Sequence, residues 1–243
     1  MKIALYLFPV LLITDVVPGQ GVPAIVESSP KFWQTNVAPT LKQVSITFDR
    51  EMRYGFSSWL GVSSILPTSE LQSTYAPDAR TFNLNVSVEP AKVYVFALNE
   101  KQVSGVGFQT KRGVPLAPHF LVFQTAGTPK PEDAPPVVVR SSPTNSEQQV
   151  DPARTKAIVL TFDRPMQAGK QGLHLFENNN VIDLSKTRFA YSPDGRTFTL
   201  YYDFKASTQY RVALNNVNDV GFASVSRIPL WPVQITFATG QPH

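Results

Sequence analysis

The two halves of this 243-residue chain carry the same succession of short motifs, displaced by about 114 residues. Ser28-Ser29-Pro30 returns as Ser141-Ser142-Pro143, and Thr47-Phe48-Asp49-Arg50-Glu51-Met52 returns as Thr161-Phe162-Asp163-Arg164-Pro165-Met166. Arg80-Thr81-Phe82 answers Arg196-Thr197-Phe198, Ala97-Leu98-Asn99 answers Ala213-Leu214-Asn215, and Gly107-Phe108 answers Gly221-Phe222. Pro115-Leu116 recurs as Pro229-Leu230, and Phe123 with Thr125 as Phe237 with Thr239. The order is the same throughout and the offsets stay between 113 and 116, so each half is one structural unit built twice. Between the copies, Gly127 to Pro136 holds four prolines in ten residues, the composition of an extended and rather stiff linker.

Within each copy the apolar residues alternate with period two, the signature of a strand that buries one face. Val44, Ile46 and Phe48 form one such series, followed by Phe82, Leu84 and Val86, by Tyr94, Phe96 and Leu98, and by Leu121 and Phe123. The second copy repeats them as Ile158, Leu160 and Phe162; Phe198, Leu200 and Tyr202; Tyr210, Val212 and Leu214; and Ile235 and Phe237. No stretch of ten or more residues has a helical period. Hydrophobic residues at 42%, with 11% aromatic, supply a core for each copy, and 21 prolines suit short strands joined by many turns. Seven or so strands in about 105 residues describe an immunoglobulin-like sandwich. The expected fold is therefore all-β, two tandem immunoglobulin-like β-sandwich domains after an N-terminal signal peptide.

Turn chemistry agrees. Ser192-Pro193-Asp194-Gly195-Arg196 places Gly where a positive φ is needed, directly before a strand, whereas its counterpart Pro77-Asp78-Ala79-Arg80 has Ala in that slot. If the geometry is shared, Ala79 occupies left-handed space at a cost of about 1–2 kcal/mol. Tyr94 and Tyr210 each begin a strand just after a corner, where a tyrosine hydroxyl can bond nearby backbone, so both read as structural.

Lys2, the apolar run from Ile3 to Thr14 and the small residues of Gly19-Gln20-Gly21 have the order of an export signal, with cleavage expected after Gly21. Twelve apolar residues interrupted by Pro9 fall short of the roughly 20 that span a bilayer. Asp15, Pro18 and the single basic residue leave an uncleaved N-terminus as the alternative. No later stretch approaches membrane length. The absence of cysteine excludes disulfide scaffolds, thiolate metal sites, cysteine nucleophiles and a lipoprotein cysteine, and favours a bacterial periplasmic or extracellular protein. Residues 22–127 hold nine basic and seven acidic groups, and residues 128–243 hold twelve and ten. The modest excess is spread evenly with no basic run, so a nucleic-acid partner is not expected.

The motifs of both copies resemble those of a known family. Val44 to Met52 (Val-Ser-Ile-Thr-Phe-Asp-Arg-Glu-Met), Ala76 to Phe82, the strand beginning at Tyr94, and Gly113 to Pro118 are similar to the bacterial Ig-like domain named for the S-layer protein SbsA. A Ser-x-x-Pro opening, a Thr-Phe-x-x-x-Met strand end and a Phe-x-Thr close occur in both copies, and the resemblance covers nearly all of residues 23 to 239. Ser58-Trp59 matches a subgroup of that family, but the second copy has Gly172 and Leu173 nearby and no tryptophan. The resemblance implies an exported, non-catalytic sandwich module of cell-surface and envelope proteins, with no defined ligand and no catalytic motif.

The residues themselves offer few reactive constellations. Asp49 with Glu51 is a carboxylate pair on one face of a strand end, which a glycosidase could use, but Glu51 becomes Pro165 in the second copy, and an Asp closing a strand-end loop explains the repeat better. Arg50 and Arg164 are expected to remain solvated. His119 and His174 read as strand positions and His243 is the terminus; no metal-binding histidine spacing and no nucleophile elbow is present. Asn215, Asn216, Asn218 and Asp219 form an oxygen-rich loop, and Asn178 to Asn180 another, which read as turns before calcium sites. Catalytic residues, metal ligands and cofactors are therefore expected to be none. Trp33, Trp59 and Trp231, with Tyr54 and Tyr75, are the aromatics that could mark a sugar- or protein-binding surface. Packing in the core or between domains is the competing reading. Trp59 and Trp33 are the binding candidates, Trp59 first because Arg53 to Leu71 is the segment least like its repeat partner.

The expected organisation is a signal peptide at 1–21, domain 1 at 22–127 and domain 2 at 128–243, with the linker at about 127–136. The expected function is a secreted, periplasmic or cell-surface interaction and spacer module whose partner is a protein or glycan of the cell envelope. A carbohydrate- or peptidoglycan-binding module using exposed aromatics is the alternative, and a carboxylate-pair hydrolase the remote one.

Overall fold

The computed structural model describes residues 21–54, 59–61, 72–99, 107–169 and 172–241, so residues 1–20 of the stretch expected to be an export signal, and His243, lie outside the described residues. The first half holds β1 (Ile25–Ser29), β2 (Gln34–Val37), β3 (Gln43–Phe48), β4 (Trp59–Gly61), β5 (Ser73–Tyr75), β6 (Thr81–Asn85), β7 (Val93–Leu98) and β8 (His119–Thr125). The second holds β9 (Val138–Ser142), β10 (Glu147–Val150), β11 (Ala157–Phe162), β12 (Leu173–Glu177), β13 (Asn180–Val181), β14 (Phe189–Tyr191), β15 (Thr197–Tyr201), β16 (Gln209–Leu214) and β17 (Val233–Thr239). The first set forms sheets in the order β1-β3-β6-β5 and β2-β8-β7-β4; the second forms β14-β15-β11-β9 and β10-β17-β16-β12-β13. These are tandem immunoglobulin-like sandwiches, and the expected all-β fold is observed.

The alternation read in the sequence becomes the two inner faces. Val44, Ile46 and Phe48 on β3 and Phe82 and Leu84 on β6 meet Tyr94, Phe96 and Leu98 on β7 and Leu121 and Phe123 on β8. The second core repeats the arrangement with Ile158, Leu160, Phe162, Phe198 and Leu200 against Tyr210, Val212, Leu214, Ile235 and Phe237. Pairing registers match as well: Tyr94 stands opposite Phe123, and Tyr210 opposite Phe237.

The opening strand of each copy is split. β1 runs antiparallel to β3 in one sheet, the chain crosses at Pro30, and β2 continues parallel to β8 in the other. β9 and β10 do the same around Pro143, and both Ser–Pro peptide bonds are cis. This places the repeated Ser-Ser-Pro motif at the point where one strand serves both layers.

The linker departs from the expected extended form. Pro131–Asp133 makes a short 3-10 turn, the Lys92 ammonium meets the Asp133 carboxylate at 2.6 Å, and the Arg164 guanidinium donates to the carbonyls of Pro131 and Ala134, each at 2.7 Å. Proline alone favours extension, but these contacts reward a bent path by holding the segment to both halves. Among the described residues no helix is long and apolar enough to cross a membrane.

Candidate interaction surface

The repeated polar motifs are occupied in holding the sandwiches together. Asn99 donates from Nδ2 to the carbonyls of Phe108 (2.8 Å) and Leu116 (3.0 Å) and accepts the Phe108 N–H at 2.8 Å. Asn215 repeats this with Phe222 and Leu230, and both residues are buried with positive φ, at 55° and 52°. Each asparagine thus pins two returning loops to the end of β7 or β16. The tyrosine corners form as expected: Tyr94 Oη accepts the Glu89 N–H at 2.7 Å, and Tyr210 Oη accepts that of Lys205 at 2.9 Å. Thr125 and Thr239 donate to the carbonyls of Glu89 and Lys205, each at 2.6 Å, closing the same corners.

Asp49 and Glu51 do not form a working carboxylate pair. Asp49 accepts the Ala24 N–H at 3.0 Å and two bonds from the Arg50 guanidinium at 3.0 and 2.6 Å, while Glu51 is exposed and paired with Lys111. The Arg50 guanidinium holds the Asp49 carboxyl below its ordinary value, with burial opposing, and Lys111 lowers that of Glu51. A general acid needs the opposite shift. Arg50 and Arg164 are not solvated as expected: Arg50 also donates to the Gly21 carbonyl at 2.7 Å and Arg164 grips the linker, so each side chain is largely covered. A backbone carbonyl beside the carboxylate gives the fork a second acceptor that sequence position alone does not reveal.

The loop considered for calcium is closed on itself. The Asn215 amide points inward, Asn216 Oδ1 accepts the N–H groups of Asn218 and Asp219, and Asp219 Oδ1 accepts that of Gly221. Asn178 and Asn179, with φ of 45° and 68°, are the two-residue turn between β12 and β13, the positive-φ hairpin loop that asparagine favours. Among the described residues no group of three or more His, Asp or Glu side chains lies close enough to share a metal ion. His174 sits on β12, with Nε2 at 3.0 Å from Asn216 Nδ2 and 3.6 Å from Asp219 Oδ2.

The remaining feature is a joint between the sandwiches. All six residues of β7 are buried, whereas β16 alternates. Val93, Val95 and Ala97 on β7 and Phe120 and Val122 on β8 point away from the first core and form a separate apolar cluster. Val220, Ile228 and Trp231 of the second sandwich pack against it, as does Trp33. The Trp33 and Trp231 rings meet edge to face at 5.4 Å, and the Trp231 indole N–H donates to the Trp33 carbonyl at 3.2 Å. The Phe120 N–H donates to the Val217 carbonyl at 2.6 Å; Asn218 Nδ2 donates to the Pro118 carbonyl at 2.9 Å and lies 3.3 Å from His119 Nε2.

Of the two tryptophans singled out for binding, Trp33 is half-buried in this joint, with its ring against Trp231 of the second sandwich. Trp59 begins β4, its backbone opposite Leu98, and its side chain lies outside the described residues. Tyr54 is exposed, edge-on to Tyr75 at 5.4 Å, and donates to the Ala76 carbonyl at 3.0 Å. Packing between domains, the competing reading of Trp33 and Trp231, is what the joint shows for that pair, whereas the alternating residues of β7 give no sign of its outer face. The signal for that outer face is that Val93, Val95 and Ala97, the residues between the inward Tyr94, Phe96 and Leu98, are apolar too, and an unbroken hydrophobic run marks a strand covered on both faces.

Fold and joint together define a class, a docked pair of immunoglobulin-like β-sandwiches. Residues 132–239, which span the second sandwich, match the family model of the bacterial Ig-like domain. No curated protein matches the sequence significantly. Solved structures similar to the chain include a chimeric titin Z1Z2 carrying an exogenous peptide from decorin (12% identity, 91% of this chain and 97% of that one, TM-score 0.28). Rst D1-D2 aligns at 13% identity over 90% of this chain and 100% of that one, TM-score 0.26. The tandem Ig repeats of Dlar align at 9% over 89% and 97%, TM-score 0.25.

Proposed function

We propose that this protein is an exported, non-catalytic interaction and spacer module of the bacterial cell envelope, of the SbsA Ig-like type in both copies. In this reading a signal peptide at 1–21 is removed, and domains at 22–127 and 128–243 act as one stiff pair. The observation that carries it is the joint: an apolar sheet face on the first sandwich, covered by the second, which suits a body that holds a fixed length and orientation. The occupation of the repeated polar groups by backbone and by one another supports the absence of catalysis. The partner is a protein or glycan of the envelope.

The test is to express the full chain in a bacterial host, fractionate the cells, and sequence the N-terminus of the recovered protein. The expected result is protein in the envelope or medium beginning at Val22. Recovery from the cytoplasm with Met1 intact overturns export. Turnover of a substrate by the purified chain, lost on a single Asp or His substitution, overturns the non-catalytic part.

A further inference from the structure

Equal registers allow the two sandwiches to be compared position by position on the sheet face that forms the joint. Val93, Val95 and Ala97 correspond to Gln209, Arg211 and Ala213, and Phe120 and Val122 to Gln234 and Thr236. Trp33 corresponds to Ser146, since each N–H donates at 2.6 Å to the matching carbonyl, that of Val122 or of Thr236. Five of these six apolar positions are therefore hydrogen-bonding residues in the second sandwich, although the inward-facing residues of the same strands stay apolar. The face that docks a neighbour in one copy is built for polar contact in the other.

That face carries a cleft of about 190 Å³ between β10, the β12–β13 turn and strands β16 and β17. Gln148, Asn178, Asn179, Gln209, Arg211 and Thr236 line it with Tyr210, Phe237 and Ala238, the Tyr210 and Phe237 residues being buried beneath it, and no carboxylate lines it. The Arg211 guanidinium lies over the Phe176 ring, 3.4 Å from its centroid, and has no ion-pair partner among the described residues. Glu177, the next residue along β12, is held by Lys205 at 2.5 Å. Stacking fixes the plane of a guanidinium and leaves its edge free to donate two parallel bonds, the geometry that recognises a carboxylate. Amides both donate and accept, which matches the vicinal hydroxyls of a sugar. The volume is of the order of one sugar ring, and, apart from the buried Tyr210, six of the nine lining residues carry an amide, hydroxyl or guanidinium group.

We propose that this cleft binds an acidic oligosaccharide, with Arg211 on a uronate carboxylate and the surrounding amides on the ring hydroxyls. The proposal deepens the interaction role stated above and rests on it for its setting, but uses none of the tryptophans.

The test is calorimetric titration of the full chain with tetragalacturonate at low salt, beside maltotetraose and tetraglutamate. Saturable binding of tetragalacturonate is expected, with maltotetraose and tetraglutamate much weaker. Loss of two charge-assisted bonds predicts at least about tenfold weaker binding by Arg211→Gln. Arg211→Lys, which keeps the charge and loses the fork, is expected to weaken it severalfold. Gln209→Val with Thr236→Val, which restores residues of the apolar type, is expected to reduce it further. Thermal melts of each variant confirm the fold. No binding of tetragalacturonate, undiminished binding by Arg211→Gln, or a preference for tetraglutamate or maltotetraose overturns the proposal. Because export is read from the N-terminus and cell fraction, failure here leaves the envelope reading standing, and failure there leaves this titration valid.

Discussion

Single residues in this protein are best judged against their partners in the other copy. Ala79 has a φ of 54° and Gly195 a φ of 70°, and both close the same turn, Ala79 N–H to the Ala76 carbonyl and Gly195 N–H to the Ser192 carbonyl, each at 2.9 Å. The expected left-handed alanine is therefore observed. Relief of about 1–2 kcal/mol of backbone strain in Ala79→Gly is partly offset by the larger unfolded-state entropy of glycine and the loss of a buried methyl. The net gain should be up to about 1 kcal/mol, read as a rise of a few degrees in melting temperature. Gly195→Ala should lose about 1 kcal/mol, chiefly as backbone strain, because its new Cβ would meet Met166 and Pro165 atoms only at 3.4 Å. Opposite signs in both variants would show that the turns differ in solution.

At the scale of elements, two devices hold loops to sheets. Removing the Asn215 amide leaves the Phe222 N–H and the Leu230 carbonyl unpaired, while the Phe222 carbonyl keeps the Leu230 N–H, so Asn215→Ala should cost about 2–4 kcal/mol in denaturant unfolding. Gln234→Ala, on the exposed face of the same sheet, should stay within about 0.5 kcal/mol. A cost for Asn215→Ala as small as that would remove the asparagine from the framework. The second device is the Asp–Arg pair at the ends of β3 and β11. Burial works to raise the Asp163 carboxyl, but the Arg164 guanidinium and the Val137 N–H overcome it, so its value lies below the ordinary 3.8. Asp49 is lowered likewise, chiefly by Arg50. A carboxyl lowered by folding contributes stability that is present above its unfolded value and lost as the pH falls through its folded one. The melting temperature should therefore drop as the pH is taken below about 4, and Asp163→Asn should flatten that limb while lowering stability at pH 7. An unchanged acid limb in the variant would mean that other carboxylates set it.

For the whole molecule, the joint decides whether two sandwiches behave as one body. Trp231 contacts Trp33 through its ring and its N–H, so Trp231→Ala should weaken the docking by about 2 kcal/mol, less than a fully buried tryptophan would cost. Calorimetry should resolve two transitions where the parent shows coupled unfolding, and solution scattering should show a wider spread of lengths. A parent chain that already scatters as two freely jointed bodies would sink the spacer role. The linker works in the same direction, since Lys92 and Arg164 hold it from opposite sides.

Much of this was legible in the residues, because alternation and duplication are local and need no partner to be seen. The period of two defines each strand's inner face, and the repeated Ala-Leu-Asn, Thr-Phe-Asp-Arg and Ser-Ser-Pro motifs mark where each copy is stitched. What those polar residues bond to was not legible, since Asn215 and Arg164 find backbone carbonyls 15 and 33 residues away, and a carbonyl carries no sequence identity. The outward side of a strand is more ambiguous still. Val95 and Arg211 occupy the same place in equal sandwiches, yet one is covered and the other meets solvent, because only the packing of one domain on the other determines which outer face loses its water.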